Sequence, residues 1–350
     1  MFARPNDTTV DRAHGPFMVK RHPYMRAVLL TLVMFIVVVA LLWFGGVSRI
    51  GDQIAHFQRL YLAWFVLLTV AYELVRGALW HGLIRCLEGG VTVKSEIFAF
   101  AAGEAIKFLP TGAYVQNYIL SQAADADFGH SSAATTAMIV AEIVVSLLGV
   151  AVLGVGGWSL GLRIAILVLG LGAILLTKRY LGAPRPLHIP NWARRYKPLR
   201  WAAKEYTHFR TGAAVLTHPR ILAFTFTLTA LSLVLSGAAL YAVLRGLGVL
   251  DISFSDAIAV NCFGLAFYVV LGSLEAADVG VLVGIGVSKS AAVSAVLVNR
   301  VLGIGVTIVM AAIVMAALRG EWHTLRREPS RSPETPATSP NTDPLVIPCR

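Results

Sequence analysis

Residues 97–120 read IFAFAAGEAIKFLPTGAYVQNYIL, and residues 258–286 read IAVNCFGLAFYVVLGSLEAADVGVLVGIG. Both are apolar enough to enter a bilayer, and both are broken in the middle. Pro110, Thr111 and Gly112 interrupt the first; Gly272 and Ser273, with Glu275 and Asp278 close behind, interrupt the second. Irregular backbone at membrane depth is tolerated only where protein buries it or where it lines a wet cavity. A matched pair of interrupted apolar segments in the two halves of a chain is a sequence pointer to a midplane binding site.

Composition agrees with a bilayer setting. Of 350 residues, 57% are hydrophobic and 14% are charged, whereas about a quarter are charged in soluble domains. Mean hydropathy is +0.70. The net charge of +11 reports topology before it reports nucleic acid, and no aromatic-interleaved basic module suggests a nucleic-acid partner. Cys86, Cys262 and Cys349 are scattered, with no CxxC or Cys/His spacing that would mark a metal site. No metal and no cofactor is expected. HExxH, P-loop and Gly-x-Gly-x-x-Gly patterns are lacking, as is a Ser-His-Asp arrangement, so an enzyme is not expected.

Six apolar runs are long enough to span, at about residues 27–44, 61–83, 133–154, 161–176, 221–244 and 290–318. The first lacks an Ala-x-Ala cleavage site and reads as an uncleaved helix. Basic residues then set orientation. Residues 1–26 are basic, and residues 177–220 carry ten Lys and Arg against Glu205 alone. Arg319, Arg326 and Arg327 follow the last run. The positive-inside rule places all three stretches in the cytoplasm. That is satisfied only if residues 97–120 and 258–286 are hairpins returning to their own sides. A helical arm of residues 97–109 is about 20 Å long, short of a hydrocarbon core of about 30 Å.

The expected fold is therefore an all-α polytopic membrane protein, with six full spans plus two re-entrant hairpins arranged as an inverted repeat. The domain plan is a cytoplasmic segment 1–26, a membrane domain 27–318 holding the basic cytoplasmic loop 177–220, and a disordered cytoplasmic tail 319–350 rich in Ser, Thr and Pro.

Ionisable groups inside apolar spans are costly and so are candidates for function. Glu73 and Arg76, on the second run, have i, i+3 spacing suited to a pair along one helix face. Glu104 and Lys107 repeat that spacing on the first hairpin. There the choice lies between a self-neutralised pair and a lysine that meets a lipid phosphate. Gln116 and Asn117 add neutral hydrogen-bonding groups past the break. Glu142 stands alone in the third run, with no basic residue within a turn, and needs an interior partner or a proton. Arg300, inside the last run, needs a carboxylate, which Asp278 or Glu142 can supply. An arginine held at depth also grips phosphate bidentately.

These residues resemble a flippase-like family that includes the transmembrane region of lysylphosphatidylglycerol synthases and hopanoid-associated membrane proteins. Gly103 with Leu109-Pro110-Thr111-Gly112, then Glu142, looks like that family's first re-entrant segment and the acid of the following span. Gly272-Ser273-Leu274 with Asp278, then Gly286-Val287-Ser288 and Arg300, looks like its second. Leu271 and Glu275 stand where the family usually has Pro and Gly, and Asp278 where it has Glu. The resemblance implies a lipid transporter of the cytoplasmic (inner) membrane with both termini inside. Its cargo would be an aminoacylated phospholipid, a hopanoid-type lipid or a polyprenyl-linked one. Glu142, Asp278 and Arg300 would form the polar core, with Glu104 and Lys107 at the cytoplasmic mouth. Arg194, Arg195, Lys197 and Arg200 would rest on anionic headgroups. Two alternatives stand beside it: an intramembrane lipid-modifying enzyme, and a non-transporting partner of a lipid-synthesising enzyme.

Overall fold

The computed structural model describes residues 47–107, 112–124, 126–154, 159–181, 196–271 and 274–318. The expected first span 27–44, the breaks at 108–111 and 272–273, the arginines 194 and 195 and the tail 319–350 lie outside the described residues. Within them the chain is helical, with no strand. The helices are α1 (Val47–Ala55), α2 (Arg59–Leu87), α3 (Val93–Glu104), α4 (Val115–Ala124), α5 (Phe128–Leu153), α6 (Leu160–Leu181), α7 (Lys197–Leu216), α8 (Pro219–Gly246), α9 (Phe254–Leu271), α10 (Leu274–Gly284) and α11 (Lys289–Ala317). A single 3₁₀ turn, Gly112–Tyr114, leads into α4.

Four of these, α2, α5, α8 and α11, are long and apolar enough to cross a membrane. Their sequences are hydrophobic on all sides, which fits surroundings that are apolar on all sides. In α11 just 11% of the apolar window is buried within the protein. Val301, Ile308, Val309 and Ile313 point outward from it, as do Leu60, Trp64, Leu67 and Leu74 from α2. A continuous apolar exterior of this kind is unfavourable in water and suits lipid. This is a membrane protein.

Helix starts follow local chemistry. Thr92 caps α3 by accepting from the Ser95 N–H, and Ser288 caps α11 by accepting from the Ala291 N–H. Pro219 opens α8, where its missing N–H costs nothing. Two stretches outside the six apolar runs and the two broken segments contain helices. Residues 45–60 hold α1, whose Gln53 accepts from the Ser294 hydroxyl at 2.9 Å. The basic stretch 177–220 holds α7, with polar and apolar residues on different faces. Its apolar side buries Ala203, Ala213 and Leu216.

Packing is organised around α2 and α8, which make the most extensive contact of any pair among the described helices. Arm α3 lies against α11, and α4 against α5. Correspondingly, α9 lies against α5, and α10 against α11. Among the described residues three apolar cores result, the smallest gathering Val150, Leu233, Ile258 and Cys262 between α5, α8 and α9. Of the larger two, one gathers Phe65, Leu240, Val243, Leu244, Leu282 and Val293 around α9 and α10. The other gathers Trp80, Leu83, Ile84, Leu120, Met138 and Leu216 around α3 and α4.

Candidate functional site

Charged side chains meet where α2, α5 and the first hairpin come together. Glu73 and Arg76 come from α2, Glu104 from the end of α3, Lys107 from the turn that follows and Glu142 from α5. Arg76 bridges two acids. One of its guanidinium nitrogens is paired with Glu142, and the other lies 3.5 Å from Glu104 Oε1. Lys107 Nζ also bridges two, lying 2.9 Å from Glu73 Oε1 and paired with Glu104. The Tyr72 ring joins both cations, with Arg76 Cζ and Lys107 Nζ each 5.4 Å from its centroid. From α11, the Thr307 hydroxyl donates to Glu73 Oε1 at 2.9 Å.

Glu104 and Lys107 therefore make the i, i+3 pair their spacing suggested, but Glu73 and Arg76 do not share one bond between them. Their partners come from elsewhere in the chain, because α3 is pressed against α11 and brings Glu104 and Lys107 over the face of α2. The partner of Glu142 is Arg76. With three carboxylates to two cations, the cluster has one acid in excess when all are ionised.

The turn that carries Lys107 is closely packed. A Cβ on Gly112 would stand 2.1 Å from the Ile106 carbonyl oxygen and 2.9 Å from Lys107 Cα, both backbone atoms. A Cβ on Gly103 would stand 2.6 Å from Gln116 Cβ, where the two arms cross. Only hydrogen fits at these approaches. Gln116 and Asn117 are buried between α4 and α5 rather than in the charged cluster. Gln116 Nε2 donates to Thr135 Oγ1 at 3.0 Å, and Thr135 donates in turn to Asn117 Oδ1 at 2.9 Å. They tie the second arm to its neighbouring helix.

The second hairpin carries its own polar group. Arg300 Nε lies 3.1 Å from Glu275 Oε1, so its carboxylate is neither of the two named from sequence. Asp278 is buried at 5% exposure, and its Oδ1 has no hydrogen-bond partner. Asn261 accepts from the Ser236 hydroxyl at 3.0 Å, and its own Nδ2 is unpartnered. Arg300 and Thr307 are seven residues apart on α11, two helical turns or about 10 Å. One helix thus runs from the Glu275 and Asp278 group to the Glu73 group, while Glu142 is separated from both Asp278 and Arg300 in its pairing.

Sequence reasoning passed over Thr307 and undervalued Glu73. A threonine in a span is common and emits no signal until its partner is known. Thr307→Val, which removes one hydrogen bond to a carboxylate, is expected to cost about 1 kcal/mol, read as a lowered unfolding midpoint in mixed micelles. It also passed over a group at the start of α5, where Asp127, His130 and His208 converge. An apolar recess between α5, α7 and α8, lined by Ala133, Val140, Val144, Phe209, Leu222 and Phe226, sits on the helix that carries Glu142.

Long apolar helices enclosing buried, cross-paired charges define a polytopic α-helical membrane protein. The family model described as the lysylphosphatidylglycerol synthase TM region matches residues 28–320. The chain belongs to that family, and its role lies with membrane lipids. A comparison with curated proteins found no match.

Proposed function

We propose that this protein is a flippase-like transporter of the cytoplasmic membrane that carries an amphiphilic lipid from one leaflet to the other. The observation that carries the reading is the cluster of Glu73, Arg76, Glu104, Lys107 and Glu142, assembled from two long apolar helices and a broken segment. Charges at such depth are expensive and persist where a polar path is needed. Here each cation is shared between two acids, so a headgroup phosphate that takes a place on Lys107 leaves Glu104 its contact with Arg76. The excess acid favours a headgroup that also carries a cation, such as an aminoacylated phospholipid. Hydrocarbon tails stay in lipid or in the recess between α5, α7 and α8.

The packing supports an inverted repeat, and the proposal retains two re-entrant hairpins and six spans. In that plan α2, the α3–α4 pair and α5 correspond to α8, the α9–α10 pair and α11, and the contacts of the first set recur in the second. The basic α7 then rests on cytoplasmic headgroups, and both termini are inside.

The test is headgroup accessibility in vesicles containing the purified protein and a labelled aminoacylated phospholipid. Glu142→Gln and Arg300→Ala are each expected to lower the flip rate about tenfold, the equivalent of one lost charge-assisted contact of ~1.4 kcal/mol. Wild-type rates in both variants, with folding intact, would remove the proposed path. A second reading rests on the family's description, which ties this region to a synthase: the protein then serves as the membrane partner of a lipid-modifying enzyme. Stable co-purification of such an enzyme, together with no flipping by the wild type, would favour it.

A further inference from the structure

Away from the charged cluster, the first turn of α5 and helix α7 bring two imidazoles and two carboxylates together. His208 Nδ1 lies 3.0 Å from Asp127 Oδ2, and His130 Nδ1 lies 3.8 Å from the same oxygen. One ligand atom from each of the three residues falls within 4.8 Å of the others. The two rings face each other at 5.3 Å between centroids. Glu88, at the end of α2, reaches in from the opposite side, with Oε1 2.9 Å from His130 Nδ1. Its carboxylate also accepts from the Asp127 N–H. All four side chains are partly accessible, from 17% for Glu88 to 38% for Asp127.

The spacing is that of a small metal polyhedron. Ligands about 2.0–2.1 Å from a tetrahedral zinc lie about 3.3 Å from one another. The observed separations of 3.0 and 3.8 Å bracket that value. Imidazole with carboxylate is a donor set suited to zinc and unsuited to calcium or magnesium, which take oxygen. The frame holding the ligands is fixed independently of them. Glu205 on α7 accepts from the Gly129 N–H at 2.7 Å, and Trp201 packs on Phe128 with ring centroids 6.0 Å apart.

We propose that Asp127, His130 and His208 bind a divalent transition metal, zinc by preference, with water in the fourth position and Glu88 as the carboxylate that orients His130. The ion joins the start of α5 to the basic helix α7, and Glu88 links that pair to the end of α2. It clips α7 onto the body of the protein and is separate from the transport path proposed above.

The experiment uses the full chain in detergent, carrying no oligohistidine tag, stripped with a chelator and titrated with zinc chloride. Metal content is read by mass spectrometry and stability by thermal unfolding. The wild type is expected to retain one zinc per chain and to unfold at a higher temperature when loaded. His130→Ala and His208→Gln should each abolish both effects, and Glu88→Gln should weaken binding about tenfold. His81→Ala, which removes the imidazole paired with Glu96, should leave both unchanged. Cobalt in place of zinc should give the visible absorption of a nitrogen-ligated tetrahedral site. No bound zinc in the wild type, or one zinc retained by a His130→Ala/His208→Gln variant with a native circular dichroism spectrum, would overturn the proposal.

Discussion

Replacing Arg76 by alanine is expected to give the largest single loss of stability in the protein. The guanidinium is 13% exposed and holds both Glu104 and Glu142. Removing one member of a buried ion pair costs about 3–5 kcal/mol, because the remaining charge stays desolvated without compensation. Here the loss falls on two acids at once, in a cluster that already has one more acid than it has cations. The double variant Arg76→Ala/Glu142→Gln removes one of those stranded charges and is expected to recover part of the loss. Chemical unfolding in mixed micelles measures both. If the single variant matches the wild type, or if the double is no better than the single, Arg76 is not the electrostatic centre of the cluster.

Gly112→Ala is expected to disrupt the first hairpin from its turn. The added carbon would sit 2.1 Å from a backbone oxygen of Ile106, a contact that no side-chain rotation relieves. The turn must open, and Lys107 moves with it, away from Glu73 and Glu104. A strain of this kind belongs with the large mutational effects, of a few kcal/mol. Both the unfolding midpoint and the flip rate should fall. Gly280→Ala is the matched control. That glycine lies within α10 with open space around it, so alanine there is expected to be neutral or stabilising by up to about 1 kcal/mol. Equal behaviour of the two variants would mean that the close approach at Gly112 carries no weight.

Much of the site was visible as a list of residues before it was visible as a place. Glu73, Arg76, Glu104, Lys107, Glu142, Asp278 and Arg300 stand out because a charge in an apolar run is costly wherever the run ends up. Their pairing was not visible. Local spacing suggested Glu73 with Arg76, but the bonds formed are Arg76 with Glu104, 28 residues on, and Lys107 with Glu73, 34 residues back. Thr307 reaches Glu73 across 234 residues. Arg300 takes Glu275, at a position where the family usually has glycine. Asp127 and His130 are one turn apart, yet nothing in their spacing announces His208, which arrives on a separate helix.

By itself the sequence determined what is local: a membrane setting, from hydropathy, and the break in the first hairpin segment, from Pro110, Thr111 and Gly112. Each follows from the transfer energy of single side chains or from the conformations open to a few neighbouring residues. Which charges neutralise one another, and which histidines share a carboxylate, was decided by the tertiary structure alone. Ion pairs and ligand contacts form at separations of about 3 to 4 Å, and those separations are set by how α3 lies on α11 and how α7 lies on α5, not by distance along the chain.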